Sequence, residues 1–495
     1  LKPAAIRRSF AVLSLLIAAS GASAQALQGK LQGLIGGAKL GSAKVGVVIM
    51  DPESETVLAS YKGEDSFIPA SNMKLLTSGS ALTILGADFT FKTQLIHQPQ
   101  AGNRIVVKGA GDPAFGDPEL LETMKLTVDN LLEAWVQAVK KACPNGIGEL
   151  VIDARVFDRE FVHPTWPVGQ LNRWYCAEVS GLSFHTNVLA IFAKPRSPGQ
   201  PPSVTIEPRA PWIEIQNRAK SIKTGQQTAW AARSPESNSI TFNGDVRYGN
   251  DPIRVTLHDN ATFFSRLLAD RLTDAGLAPT DVRVASEHED LSGGTVIHTI
   301  ATALDTALAR CNEDSHNLYA ECFIKRMGHE ISGAPGSWRN GASVIRMAVN
   351  QRLGEGAARD LLIADGSGMS RENHVSPMLL AEWLTSFAQD EKLITPMYES
   401  LPVGGREGTL DDRFKARVPK NEVRAKSGYL TGVSALSGYV THPSSGRRVV
   451  FSIITNDKPN SVATSSVREF EERVVMLADQ WLTQHAEPER QLGGR

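Results

Sequence analysis

Apolar positions change their spacing several times along the chain. Val45–Met50 and Val57–Tyr61 are short β-type runs joined by the turn formers Asp51-Pro52-Glu53-Ser54, and they predict a pair of strands. After Pro69 the spacing becomes helical: Met73, Leu76, Leu82 and Leu85 fall roughly on one face, with Gly86 as the stop. From about residue 96 to 285 the texture is of short β-like runs, at Ile105–Lys108, Glu149–Ile152, Val188–Ala193 and Val204–Ile206. Pro/Gly/Ser-rich turns such as 196–202 split them, and one helix, Val128–Ala142, interrupts them. Helical patterns return near residue 290 and continue to 395. Gly428–Val440 and Arg448–Thr455 then predict a hairpin that turns at Pro443-Ser444-Ser445-Gly446. Val467, Phe470, Val474, Leu477 and Trp481 predict a last amphipathic helix. Its acidic residues Glu469, Glu471, Glu472 and Asp479 favour packing on the domain over lying on a membrane.

These elements predict an α/β fold made from both ends of the chain, residues 25–95 and 286–490. A β-rich region, 96–285, is inserted in its middle. It divides into two parts, about 96–185 with 246–285, and 186–245. No internal repeat is present.

Composition narrows the class. The chain has 495 residues, 42% hydrophobic and 21% charged, which excludes collagen-like, low-complexity and wholly disordered readings. Lys+Arg number 52 against 53 Asp+Glu, so no nucleic acid is expected as the main partner. Residues 1–24 read as a secretory signal: Lys2, Arg7 and Arg8 precede the apolar stretch Phe10–Ala19, and Ala22-Ser23-Ala24 forms a small-residue cleavage site. The expected location is therefore periplasmic or secreted, with no transmembrane segment after cleavage. Export would permit disulfides among Cys143, Cys176, Cys311 and Cys322. The pairs Cys311–Cys322 and Cys143–Cys176 stand beside the alternative of four buried thiols. The absence of CxxC and HExxH patterns and of dense His clusters points to no metal and no cofactor.

The candidate chemistry begins at Ser71-Asn72-Met73-Lys74. In a helix, positions i and i+3 share a face, so Lys74 would lie beside the Ser71 hydroxyl. A serine becomes a good nucleophile when a base takes its proton, and a lysine serves as that base when burial or a second cation lowers its pKa. Ser315-His316-Asn317 lies between two helical stretches, and Lys426-Ser427-Gly428 opens the late hairpin. Lys223-Thr224-Gly225 is a decoy for this last element: it precedes Ser315 and sits in a polar stretch without a clear strand.

Together, in this order, these motifs resemble the Ser-x-x-Lys, Ser-x-Asn and Lys-Thr/Ser-Gly elements of penicillin-recognising serine enzymes. The 244-residue gap from Ser71 to Ser315 makes the chain similar to the class C low-molecular-mass penicillin-binding proteins, the D-alanyl-D-alanine carboxypeptidase/endopeptidase family. The segments Gly109–Pro113, Val151–Asp153, Asp365–Arg371 and Gly408–Leu410 read like that family too. The resemblance implies a β-lactamase-like transpeptidase domain. It implies Ser71 as nucleophile, Lys74 as base, Ser315 as proton relay and Asn317 as substrate-orienting amide. Lys426 and Ser427 would bind the substrate carboxylate, and the backbone N–H groups of Ser71 and Tyr429, beyond Gly428, would bind the oxyanion. The implied partners are peptidoglycan peptides ending in D-Ala-D-Ala, and β-lactams as covalent inhibitors. The alternatives are a β-lactamase or esterase on the same fold, or a non-catalytic cell-wall-peptide binding protein. Asp365–Arg371 reads as a supporting turn, with a substrate-side loop as the alternative. Asp153 reads as a strand-end turn residue, and His316 as a variable position within its motif.

Overall fold

The computed structural model describes residues 23–249 and 252–486. The expected signal lies outside the described residues except for Ser23 and Ala24, which open a helix over residues 23–37. The chain divides into two compact units. One takes in the chain up to Ile84, Leu308–Ser315 and the chain from Ile345 on; the other takes Leu85–Ala307 and His316–Val344.

The first unit is built on a five-stranded antiparallel sheet in the order Glu422–Leu430, Val433–Thr441, Arg448–Asn456, Lys44–Asp51, Thr56–Tyr61. Both faces of the sheet are covered, so its strands read as apolar runs rather than alternations. On one face Val47, Ile49, Leu436, Phe451 and Ile453 pack with Leu27 and Leu31 of the first helix. Val467, Phe470, Val474 and Leu482 of the helix Thr464–His485 join the same core. Each such side chain contributes about 1.5–3 kcal/mol on burial. On the other face, Pro377 of the helix Pro377–Ala388 sits where a side chain at Gly46 would clash at 2.7 Å. From that helix the Trp383 indole donates to Leu75 O (2.9 Å), tying in the helix Met73–Leu85. The last helix buries two of its acidic residues against the domain: Glu471 pairs with Arg413 (3.0 Å), and Asp479 accepts from Asn421 N (2.9 Å). Among the described residues no helix is long and apolar enough to cross a membrane.

The second unit has a mixed five-stranded sheet in the order Asp281–Val284, Glu149–Asp153, Arg104–Lys108, Thr90–Gln98, Thr295–Ala303. The helices Val128–Ala142 and Asn260–Asp274 cover one face. Phe115 centres an aromatic cluster with Trp135, Phe184 and Phe264, ring centroids 5.1–5.4 Å away. Smaller sheets follow, among them Ile253–Thr256, Val188–Lys194, Ser203–Glu207. Residues 109–117 form a tight turn, with Phe157 against Gly111 and Phe184 against Gly116. In it, buried Asp112 accepts from Ala114 N (2.9 Å) and Thr302 Oγ1 (2.7 Å).

The structure corrects four expectations. Gly428–Val440 is two strands, because Gly432 at φ +78° turns the chain between Leu430 and Val433. Thr295–Ala303 is a strand rather than helical, and it pairs along its length with Thr90–Gln98. A second long helix, Asn260–Asp274, lies in the region expected to hold one; Asp259 caps it through Thr262 N (3.2 Å). The four cysteines are buried thiols outside any disulfide. Burial pushes the thiols of Cys143, Cys176 and Cys322 up, Cys176 to about 12, which makes them poor nucleophiles.

Two outcomes are expected. Thiol titration of the denatured, unreduced protein should find all four cysteines; a count of two or none would establish a bridge. Burial raises Asp112 from 3.8 to about 6, so the native state holds its proton more tightly than the unfolded chain. Its contribution favours folding below about pH 4 and is lost as pH rises through 6. Denaturant melts should therefore show Asp112→Asn gaining on the wild type by up to ~3 kcal/mol from pH 4 to 7. A pH-independent difference would show that Asp112 ionises freely.

Candidate active site

The nucleophile candidate sits where an irregular turn becomes a helix. Ala70–Asn72 forms a 3₁₀ turn that runs into Met73–Leu85. Ala70 has φ +47°, a left-handed conformation that alanine adopts only under constraint. The constraint comes from the loop at 365–373. A Cβ on Gly368 would lie 1.8 Å from Ala70 O, so only glycine (here at φ +84°) permits this approach.

The same loop holds the lysine. Lys74 is fully buried, and its Nζ lies 3.1 Å from Ser71 Oγ and donates to Ser367 O (2.9 Å). One turn on, Thr77 Oγ1 donates to Gly366 O (2.7 Å). Asp365, itself buried, shapes the loop by accepting from Gly368 N (2.8 Å), Ser370 N (2.7 Å) and Asn373 Nδ2 (2.6 Å). The Asp365–Arg371 segment is therefore the support of the Ser71–Lys74 pair.

The strand Glu422–Leu430 closes the other side. A Cβ on Gly428 would stand 3.0 Å from both Pro69 O and Ser71 N, so the strand backbone lies directly against the start of the nucleophile helix. Buried Asn72 fastens the two: its amide, oriented to satisfy both partners, donates to Lys426 O (3.0 Å) and accepts from Ser437 N (3.1 Å). Lys426 is fully buried and donates to Ser427 O (3.0 Å). Burial, and then the charge of Lys74, push its amine well below the usual lysine range. Ser427 is half-buried and Tyr429 is 57% exposed. The decoy Lys223-Thr224-Gly225 is an exposed bend of the second unit.

Ser315, at φ +58°, is a half-buried residue of the link between the helices Leu304–Asn312 and Asn317–Ser332. That link is tethered to the nucleophile helix. Asn312 Nδ2 donates to Ser78 Oγ (3.1 Å) and Ser400 Oγ (2.9 Å), and Ser78 shares a helix face with Ser71. Asn317 begins the next helix, within the second unit, where its amide donates to Tyr175 O (2.9 Å). There Trp174 lies 5.4 Å from the His316 ring. Ser71, Lys74, Lys426, Ser427 and Gly428 are thus gathered in one unit, and Ser315 belongs to that unit too.

Sequence reasoning passed over Asn72, Asn312 and Ser437, although Asn72 stands inside the Ser71–Lys74 motif. An apolar-rich helix start that nonetheless carries an amide was the available signal. Asp153, read as a turn residue, is held by Arg155 in a two-point pair (2.8 and 2.9 Å).

A serine bonded to a buried lysine, with a second buried lysine on the adjoining strand, defines a serine acyl-transfer enzyme on a penicillin-binding α/β fold. The chain belongs to the D-Ala-D-Ala carboxypeptidase 3 (S13) family, whose model matches residues 27–480, and is a serine-type D-alanyl-D-alanine carboxypeptidase. A D-alanyl-D-alanine carboxypeptidase of Actinomadura sp. (strain R39) is 30% identical over 457 residues, covering 88% of this chain and 82% of the relative. DacB of Haemophilus influenzae is 22% identical over 422 residues, covering 83% and 84%. The crystal structure of penicillin-binding protein 4 (DacB) from the same organism shares the fold: TM-score 0.74 at 20% identity, covering 90% of this chain and 98% of that one.

Gly368→Ala should drive the loop off Ala70 and displace Ser367 O from Lys74. A misplacement near 1 Å costs roughly 100-fold in rate, so β-lactam acylation measured by stopped flow should slow by about that factor in a folded variant. Unchanged acylation would separate the loop from the reactivity of Ser71.

Proposed function

We propose that the chain acts on peptidoglycan peptides as carboxypeptidase, endopeptidase or both, through an acyl-enzyme on Ser71; as a carboxypeptidase it cleaves the terminal D-Ala–D-Ala bond. The observation that carries this reading is the 3.1 Å contact between the half-buried Ser71 and the fully buried Lys74, with Lys426 on the adjoining strand also fully buried. Lys74 Nζ takes the Ser71 proton as Oγ bonds to the carbonyl carbon of the penultimate D-Ala. The Ser71 and Tyr429 backbone N–H groups receive the oxyanion, each worth about 3 kcal/mol in the transition state. The C–N bond then breaks, the proton passes through the Ser315 hydroxyl to the departing amine, and Asn317 orients the acyl-side amide. Water completes the turnover by reversing these steps on the ester.

The two lysines divide the work electrostatically. Burial and the charge of Lys74 hold Lys426 toward its neutral form. A substrate carboxylate beside Lys426 and Ser427 would favour the protonated Lys426, whose charge in turn disfavours a proton on Lys74. Lys74 is then left neutral, as a base must be. A β-lactam carries a comparable carboxylate, and the Haemophilus influenzae neighbour was solved in complex with one. We extend the same reading to location: cleavage after Ala24 would deliver the enzyme to the periplasm or the exterior, where peptidoglycan lies.

Intact-mass analysis after incubation with benzylpenicillin tests the scheme. The wild type should gain the mass of the drug and Ser71→Ala should not. Drug hydrolysis without an adduct would assign a β-lactamase, and an intact drug without an adduct would favour a non-catalytic binding protein.

A further inference from the structure

The second unit carries a groove that the Ser71 chemistry does not use. A cavity of about 570 Å³ lies on a face of the sheet containing Thr90–Gln98 and Arg104–Lys108. Strand periodicity puts Lys92 on the same face as Gln94, and Gln94 pairs with Lys108, so the two exposed ammonium groups are diagonal neighbours. Arg155 and Arg326 also line it, each paired with a carboxylate, Asp153 and Glu330, which leaves Lys92 and Lys108 against Glu287. Arg326 pairs with Glu330 through Nη2 (2.7 Å) and lies 5.2 Å from the Phe89 ring centre, while its buried Nη1 finds no acceptor among the described residues. A buried guanidinium donor without an acceptor is uncommon enough to need a cause. This cationic surplus is local: the chain as a whole has a formal net charge of −1.

A second cavity of about 340 Å³ shares Arg155, Glu287 and Pro335 with the first and is lined by Phe157, Phe161 and Val284. The two adjoin: the first carries the lysines, and the second adds Phe161 beside the charged Asp158, Arg159 and Asp259. Both floor strands are interior to the sheet, so their backbone groups are already paired and cannot recruit an added peptide strand. Recognition therefore falls to side chains: ammonium groups for anions, and the partly exposed Phe161 ring for the apolar face of a sugar.

We propose that this groove binds an anionic saccharide chain, one that carries carboxylate or phosphate groups along a sugar-containing backbone. It would hold polymer through residues that are not those of the catalytic set. The choice of wall polymers as probes rests on the function proposed above.

The test uses the full chain with Ser71→Ala, so that nothing is turned over. Two probes are compared by calorimetry: peptide-free glycan strands that retain their lactyl carboxylates, and a glycerol phosphate teichoic polymer. A neutral chitin oligosaccharide is the control. Binding to at least one anionic probe should weaken as salt rises. It should fall tenfold or more in the double variant Lys92→Glu/Lys108→Glu and survive in Lys92→Arg/Lys108→Arg. The probe that binds identifies the source of the anion. Binding of neither polymer, or equal binding by the charge-reversed variant, overturns the proposal. With Ser71 restored, the charge-reversed variant should acylate with benzylpenicillin as the wild type does. Loss of acylation in the wild type would count against the catalytic reading instead.

Discussion

Two fully buried lysines set the terms for everything around them. A buried ammonium is costly, and two near enough to feel each other's charge are costlier still. The fold meets this by giving Lys74 a carbonyl from Ser367 and Lys426 a carbonyl from Ser427, both of which accept a proton donor without adding charge. A carboxylate in either place would fix both protons permanently and leave no base. The two carbonyls therefore hold the lysines in place while leaving their charge state free to change.

The geometry needed for this is held by backbone contacts rather than by side-chain bulk. Gly368 against Ala70 is an approach that a methyl group would prevent, and Gly428 against Ser71 one that a methyl group would crowd. Between them the nucleophile turn is clamped, and the left-handed Ala70 is sustained by its neighbours. Asn72 adds a polar seam to the strand, which fixes the register of the helix start against Lys426.

The three motifs were legible because their chemistry is local: a helix period places Lys74 beside Ser71, and a strand after Lys426 separates it from the exposed Lys223. The family resemblance then named the fold that the motifs share. The supporting residues were not legible in the same way. Asp365 acts through a loop almost 300 positions from the serine it supports, and Asn312 reaches Ser78 across 234 residues. Nothing in a linear pattern pairs such positions. Thr295–Ala303 was missed for a related reason: its burial is patchy, and it is a strand because Thr90–Gln98 offers it a partner. The helix at Asn260–Asp274 was missed as well, although Asp259 and the spacing of Phe264, Leu268 and Leu272 offered a local signal for it.

The order of strands in the first sheet carries a consequence for synthesis. Lys44–Asp51 pairs with Arg448–Asn456, so the opening hairpin has no long-lived partner on that edge until some 400 further residues have been made. The intervening unit has its own core and can condense first, as domains do when they emerge in sequence. Until the late strand arrives, Glu422–Leu430 has not closed over Ser71, and Lys426 still stands in water. A chain truncated before the late strands therefore holds Ser71 and Lys74 close together in sequence but lacks Lys426 and the strand that closes against the nucleophile turn.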